Sequence, residues 1–404
     1  MMRCMPSANA KPIIDGFNAP LVAVFFFCRT RLRGALASAL RARVETNQFS
    51  RRSPLTSLSM KKLCLVFGIC WTASFGCFGK DAYRFLSEIP IGGEGGWDIL
   101  TIDPTANRLY LSHSMKVVVV DLAKSAVVGE IDDTPGVHAF VAVPELQRGF
   151  SSNGKESKSS VVDLTTLKTT SKVDTGSNPD AVVYEPRHGE VYVFNHTGNS
   201  VTVINSKTAT VSATIPLGGT PEFAAVDQAV GRVYCNIEDK SEVAVIDVSK
   251  HEVIARWPLT PGEEPSGIAL DGRHHRLFAG CHNKMMVMLD TNTGKVIANV
   301  PIGAGVDGCE FDDTTQLAFA SCGDGTTTIA KEDPPAKLTA VQVLKTERGA
   351  RTMALDRTTH RIYLPTAEFA PVPSSSPGAS PTRPSTVPNT LKLLVYAQAE
   401  STKD

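Results

Sequence analysis

The fold is decided by one stretch, residues 182–221, with the sequence VVYEPRHGEVYVFNHTGNSVTVINSKTATVSATIPLGGTP. Short apolar runs alternate with polar residues along it, and turn residues such as Gly189 and Asn199 separate the runs. Alternation with period two between turn signals is typical of antiparallel strands joined by hairpins. The stretch therefore predicts four short strands.

The pattern occurs seven times along the chain, and each copy contains an aromatic residue that we expect to be buried and call its anchor. The anchors are Tyr110, Phe150, Tyr192, Tyr234, Phe278, Phe319 and Tyr363, spaced 40 to 44 residues apart. In six copies an Asp or Glu precedes the anchor by seven positions. Four strands per repeat of this length are typical of a propeller blade, and seven blades close a ring. We therefore predict an all-β domain over residues 80–400, a seven-bladed β-propeller with four antiparallel strands per blade.

The two ends of this domain predict how the ring closes. The seventh repeat offers three strands, and no sequence follows that could form a fourth. Residues 83–91 resemble the fourth strands of other repeats, such as VSATIPLGG. We predict that this N-terminal strand completes the last blade and covers its sheet edge. Residues 365–390, rich in Pro and Ser, are predicted to form a flexible loop within that blade.

The segment before the domain has a different composition. Residues 1–59 carry nine Lys or Arg against two acidic residues, and MKKLCLVFGICWTASFGCFGK follows from Met60. A basic start, a short apolar stretch and small residues are the layout of a secretory signal peptide, too short to span a membrane. We expect a signal peptide at 60–79, export to the periplasm or the medium, and a mis-called extension at 1–59. The alternatives are an organelle transit peptide and a lipid anchor at Cys77.

Overall charge limits the classes of partner. The chain has 41 basic and 41 acidic residues, so nothing indicates a nucleic-acid surface, and we predict no nucleic-acid partner and a monomer. Four cysteines fall in the propeller, Cys235, Cys281, Cys309 and Cys322. Export would allow one or two disulfides, which the sequence does not pair.

A family resemblance rests on YVFNHTGNSVTVINSKTATVSATIPLGGTP, which resembles the YVTN repeat of the YncE-like and surface-layer-type propellers of bacteria. The resemblance covers residues 83–397. It implies an exported propeller that acts largely as a scaffold, as in the related amine dehydrogenase heavy chain and nitrous oxide reductase. The WD40 pattern is disfavoured because no Gly-His and Trp-Asp pair recurs.

In a propeller, the fourth-to-first and second-to-third loops share one face around the channel. Polar residues in these loops are therefore the candidate ligand-binding residues: His138, Asp180, Glu222, Asn236, Glu238, Glu264, Asp307, Arg348 and Arg351. Guanidinium and carboxylate groups in one funnel could hold a carboxylate, a phosphate or a hydrated cation. The alternative is that they pair with one another and plug the channel.

Weaker candidates for metal ligands are Cys281, His282, Cys322 and Asp324, because the two cysteines occupy equivalent positions in adjacent blades. The alternatives are a disulfide or small buried thiols. His274 and His275 lie in a turn on the opposite face, roughly 20 Å from Cys281 at the rise of a strand.

The sequence lacks the CxxCH, GxSxG, HExxH and P-loop motifs, so no cofactor is indicated. We predict a non-catalytic scaffold that binds a small molecule or a protein at the channel mouth. The alternative is an enzyme, either a metal-dependent lactonase-like hydrolase or a quinoprotein-type oxidoreductase subunit.

Overall fold

The computed structural model describes residues 82–333, 335–371 and 385–399. The predicted extension at 1–59, the signal peptide at 60–79 and the middle of the Pro/Ser-rich segment lie outside these residues. Within them, no helix has the length and apolar character needed to cross a membrane.

The described residues form seven antiparallel sheets of four strands each. In chain order the strands are β1 (Tyr83–Pro90), β2 (Trp97–Asp103), β3 (Arg108–His113), β4 (Lys116–Asp121), β5 (Ala126–Ile131), β6 (Val137–Val143), β7 (Arg148–Asn153), β8 (Lys158–Asp163), β9 (Lys168–Asp174), β10 (Pro179–Glu185), β11 (Glu190–Asn195), β12 (Ser200–Asn205), β13 (Thr210–Pro216), β14 (Pro221–Asp227), β15 (Arg232–Ile237), β16 (Glu242–Asp247), β17 (Glu252–Pro258), β18 (Pro265–Asp271), β19 (Arg276–Cys281), β20 (Met285–Asp290), β21 (Lys295–Pro301), β22 (Val306–Asp312), β23 (Leu317–Cys322), β24 (Thr326–Asp333), β25 (Lys337–Lys345), β26 (Ala354–Asp356), β27 (Arg361–Thr366) and β28 (Lys392–Gln398). Two short 3-10 turns span Pro144–Leu146 and Glu238–Lys240.

Six blades take four consecutive strands each, from β2–β5 in blade one to β22–β25 in blade six. Blade seven has the order β26, β27, β28, β1, because β1 pairs antiparallel with β28 from Tyr83 opposite Gln398 to Pro90 opposite Lys392. The innermost strands contact one another around the ring, and β26 contacts β2. The prediction of a seven-bladed all-β propeller closed by its N-terminal strand is therefore confirmed.

The aromatic and acidic residues that define the repeat have the same structural roles from blade to blade. The seven aromatic anchors lie on the second strands and are at most 2% exposed. The acidic residue seven positions earlier ends the innermost strand and caps the next turn, as Asp103 Oδ1 does by accepting hydrogen bonds from the amides of Thr105 and Ala106. The other five acidic residues make the same turn, and in blade two, where Val143 replaces the acid, a 3-10 turn follows.

The Pro/Ser-rich segment is anchored where it leaves and rejoins blade seven. The amide of Ala370 donates to the carbonyl of Ser385, and the amide of Val387 donates to that of Glu368. Phe369 and Thr386 form an isolated antiparallel bridge. Both arms of the excursion therefore lie side by side, next to the face that carries the candidate site.

Candidate functional site

The channel mouth is built from the second residue of the innermost strands. In blades one to six this residue is Asp98, His138, Asp180, Glu222, Ser266 and Asp307, and all six line one cavity of about 430 Å³. Each of them lies in a register shift at the start of its strand, where pairing with the second strand is interrupted. A bulge of this kind re-aims a side chain, which here faces the channel instead of the space between blades. Arg351, just before β26, joins this cavity from blade seven.

One side of the cavity, which we call the Arg351 half, consists of Asp98, His138, Asp180, Asp307 and Arg351. Arg351 Nε lies 2.6 Å from Asp307 Oδ2, and Arg351 Nη2 lies 3.8 Å from Asp98 Oδ1. Burial raises the pKa of Asp307 to about 6 although the Arg351 charge opposes this shift. A fixed cation therefore stands between two carboxylates in this half.

His138 bridges Asp98 and Asp180 in the same half. Its Nδ1 lies 2.7 Å from Asp98 Oδ2 and 3.6 Å from Asp180 Oδ1. Burial by itself would lower the pKa of His138, but the hydrogen bond to Asp98 and the charge of Asp180 outweigh it and raise the pKa to about 9. Burial and repulsion from Asp98 raise the pKa of Asp180 to about 8, although its side chain keeps 18% exposure to the channel.

The opposite side, which we call the Glu222 half, consists of His196, Glu222, Glu238, Glu264 and His282. His196 Nε2 lies 3.1 Å from Glu222 Oε1, and His282 Nδ1 lies 3.6 Å from Glu238 Oε1 and 4.0 Å from Glu264 Oε2. Burial, followed by repulsion from Glu222, raises the pKa of Glu238. Within the described part of the chain, no Lys or Arg forms an ion pair with these three carboxylates. Histidines are their sole counter-charges there.

The structure brings most of the predicted site residues together. His138, Asp180, Glu222, Glu238, Asp307 and Arg351 all line the cavity. Glu264 lies at the rim with 67% of its side chain exposed and contacts the cavity only through His282.

Two predicted residues lie elsewhere. The Arg348 guanidinium lies over the ring of Phe369, 5.6 Å from its centroid. Asn236 is fully buried, and its Nδ2 donates to the carbonyls of Ser266 and Gly267, so it holds the backbone beneath the mouth. Neither side chain lines the cavity.

Sequence reasoning missed Asp98 and His196 as candidates. Asp98 occupies the same place as His138 and Asp180 once β2 is aligned with β6 and β10. His196 directly follows its second strand, as Glu238 and His282 follow theirs. Alignment of strand ends across the repeats would have found both.

The four weak metal candidates are not brought together. Cys281 and Cys322 are fully buried, and burial raises the pKa of each thiol to about 12. His282 faces Glu238, while Asp324 accepts a hydrogen bond from the amide of Ala304. All four cysteines of the propeller are free thiols, so the structure contains none of the disulfides that export would allow among them.

Three groups of side chains in the described residues place metal-ligating atoms within 4.8 Å of one another: Asp98, His138 and Asp180; His196, Glu222 and Glu238; and Asp271, His274 and Glu332. The first two lie at the channel mouth, one in each half. The third contains residues of the turn after β18 and lies at the other end of the blades.

Comparison of the sequence with models of known protein families and with curated proteins finds no match. The fold and the geometry of the channel mouth are therefore the basis on which a function is inferred.

Proposed function

We propose that this protein is an exported, non-catalytic propeller of the YVTN type that binds a cationic ligand at its channel mouth. The observation that carries this proposal is the charge of the cavity. Five carboxyl groups line it, those of Asp98, Asp180, Glu222, Glu238 and Asp307, against two cationic groups, the guanidinium of Arg351 and the imidazole of His138, whose pKa is raised to about 9. A ligand with positive charge is therefore favoured over the carboxylate or phosphate that the arginines had suggested.

The pKa directions support the same class of ligand. The pKa values of Asp180, Asp307 and Glu238 are all raised, chiefly by burial and in part by repulsion between neighbouring carboxylates. A bound cation would relieve this repulsion and displace protons, so it stabilises the folded protein by mass action. The cavity volume of about 430 Å³ fits a small molecule or one side chain of a partner protein.

Export is a second part of the proposal. The layout of residues 60–79 supports a signal peptide, with a lipid anchor at Cys77 as the alternative. Expression of the full chain, followed by fractionation and mass spectrometry of its N-terminus, tests this part. Cleavage between residues 70 and 82 is expected; an intact N-terminus in the cytosol would contradict export.

The hydrolase alternative has one observation in its favour. His196, Glu222 and Glu238 supply the imidazole and carboxylate ligands that catalytic metal ions use, and the two glutamates border an open cavity. The quinoprotein alternative is supported by the family resemblance alone.

Calorimetric titration with agmatine, a small dication, and with citrate tests the class of ligand. We expect binding of agmatine and none of citrate, with agmatine affinity about tenfold weaker in D98N because one facing carboxylate is lost. The matched control is D313N, which removes an exposed carboxylate in the turn after β22, away from the mouth. Binding of citrate in place of agmatine, or equal losses in D98N and D313N, would contradict the proposal.

A further inference from the structure

We infer that His196, Glu222, Glu238 and His282 form a binding site for one divalent transition-metal ion, of the class of Zn²⁺ or Co²⁺. The inference rests on the proposed function, since it names the cation that the Glu222 half of the mouth would hold. The four residues are called the metal-site residues below.

The backbone holds three of these residues in equivalent places on adjacent blades. His196, Glu238 and His282 each follow the second strand of blades three, four and five. The amide of each donates to a carbonyl in the loop that precedes its own blade: to Asn178 at 2.9 Å, to Thr220 at 2.9 Å and to Glu264 at 3.1 Å. The three side chains therefore project from one repeated and hydrogen-bonded framework toward the mouth.

Glu222 stands between them at the start of β14. The ligating atoms of His196, Glu222 and Glu238 lie within 4.8 Å of one another, and His282 Nδ1 lies 3.6 Å from Glu238 Oε1. In a tetrahedral site with metal–ligand distances of 2.0–2.1 Å, the ligand atoms are about 3.3 Å apart. The observed 3.1 Å between His196 Nε2 and Glu222 Oε1 and the 3.6 Å above bracket this value. His282 lies outside the group of three, so its side chain must rotate toward His196 and Glu222 before all four residues can bind one ion.

The chemistry of the donor set selects the class of metal. Two neutral imidazoles and two carboxylates carry two negative charges, which one divalent ion neutralises. Imidazole nitrogen favours Zn²⁺ and its first-row neighbours, whereas Ca²⁺ and Mg²⁺ prefer sites built of oxygen alone. Three of the donors, Glu222, Glu238 and His282, also line the cavity, so a bound ion stays open to a further ligand.

Each of the two other groups with metal-ligating spacing has an arginine within 4 Å as a fixed counter-charge. In the Arg351 half, Arg351 Nη2 is 3.8 Å from Asp98, and His138 is hydrogen-bonded to the same carboxylate. At the other end of the blades, Arg276 Nε is 3.8 Å from Glu332. The Glu222 half has no such arginine among the described side chains. This difference singles out one of the three groups.

The test is a titration of the untagged full chain with Co²⁺ and then Zn²⁺. We expect one equivalent of Co²⁺ per chain, with the visible absorption of a four-coordinate ion that Zn²⁺ abolishes on displacement. H196Q and E222Q are expected to weaken affinity at least about tenfold. H188Q is the matched control, because His188 forms a similar pair with Glu185 in the turn after β10, 2.8 Å apart, and this variant should bind as the wild type does.

The outcomes of these titrations distinguish a metal site from ordinary histidine–glutamate pairs. Thermal unfolding of H196Q and E222Q checks that they fold, and E238Q provides a third variant in case one does not. No Co²⁺ binding by the wild type, or equal binding by the metal-site variants, would show that these residues are ordinary histidine–glutamate pairs and would overturn the inference. If agmatine binds and Co²⁺ does not, the metal site falls while the proposed function stands; if citrate binds and both cations fail, both fall.

Discussion

The Arg351 half and the Glu222 half of the channel mouth are built on the same backbone positions but carry different counter-charges. Asp98, Asp307 and Glu222 are all second residues of an innermost strand, and each has a partner within 4 Å. For Asp98 and Asp307 a partner is the guanidinium of Arg351, which is permanently charged, whereas for Glu222 it is an imidazole that can release its proton. The repeat supplies the positions, and one arginine decides which half already holds a permanent counter-charge.

The largest expected effect comes from removing that arginine. In R351M the carboxylates of Asp307 and Asp98 lose their fixed counter-charge, and we expect the free energy of unfolding to fall by about 2–3 kcal/mol at pH 8. Since the pKa of Asp307 is already raised to about 6, the loss should be smaller at pH 5, where this carboxyl is protonated. Urea unfolding at the two pH values measures both. A loss below about 0.5 kcal/mol at pH 8 would contradict the role given to Arg351.

The second prediction concerns metal in the Glu222 half. Zn²⁺ at a free concentration 100 times its dissociation constant should stabilise the wild type by about 2.7 kcal/mol, because it binds the folded state alone. E222Q should lose most of this gain, and D98N should keep it. Thermal unfolding with and without Zn²⁺, with a chelator added in the reference sample, measures the effect. Equal gains in wild type and E222Q would place the ion elsewhere.

The third prediction uses Asp180, which faces Asp98, His138, Glu222 and Asp307. Its pKa is raised from 3.8 to about 8, so the folded protein retains a proton that the unfolded chain has lost. The contribution of Asp180 to the free energy of unfolding therefore falls as the pH rises from about 4 to about 8. D180N removes this dependence and should be more stable than wild type by about 1–2 kcal/mol at pH 8, with little difference at pH 4. Thermal unfolding of wild type and D180N between pH 4 and pH 8 measures this difference. A D180N variant that is less stable than wild type at pH 8 would refute the prediction.

The smallest expected effect belongs to Arg348. Its guanidinium lies over Phe369, outside the cavity, so R348A should lower the free energy of unfolding by no more than about 0.5–1 kcal/mol. Agmatine and Co²⁺ affinities should stay at wild-type values in the same variant. A tenfold change in either affinity would show that Arg348 belongs to the binding site, as the sequence predicted.

The fold could be predicted from the sequence because each residue that defines the repeat has a role in nearby structure. The aromatic anchors fill the core between blades, and the acidic residues seven positions earlier cap turns by accepting hydrogen bonds from amides two and three residues later. The caps act within one blade, and the anchors act between neighbouring blades. The number of copies then sets the number of blades, and the similarity of residues 83–91 to other fourth strands predicts the closure that β1 makes with β28.

The site was predicted only in part, because side-chain direction at the mouth depends on local register. The interruption between Trp97 and Leu100 turns Asp98, which was not among the predicted site residues, to the channel. In blade five the left-handed backbone of Glu264 leaves its side chain at the rim, and Ser266 takes the equivalent place in the ring. Arg348 is removed by contact with Phe369, a residue of the Pro/Ser-rich excursion that no repeat predicts.

Because the first strand closes the ring, the Arg351 half and the Glu222 half depend on different parts of the chain. Every metal-site residue lies between positions 196 and 282, on three consecutive blades. The Arg351 half joins blade seven to blade one, and the hydrogen bond from Thr352 Oγ1 to the carbonyl of Asp98 spans 254 residues. The contact between Arg351 and Asp98 therefore forms only when blade seven meets blade one. The Glu222 half draws its residues from blades three to five alone, so its assembly does not depend on that closure.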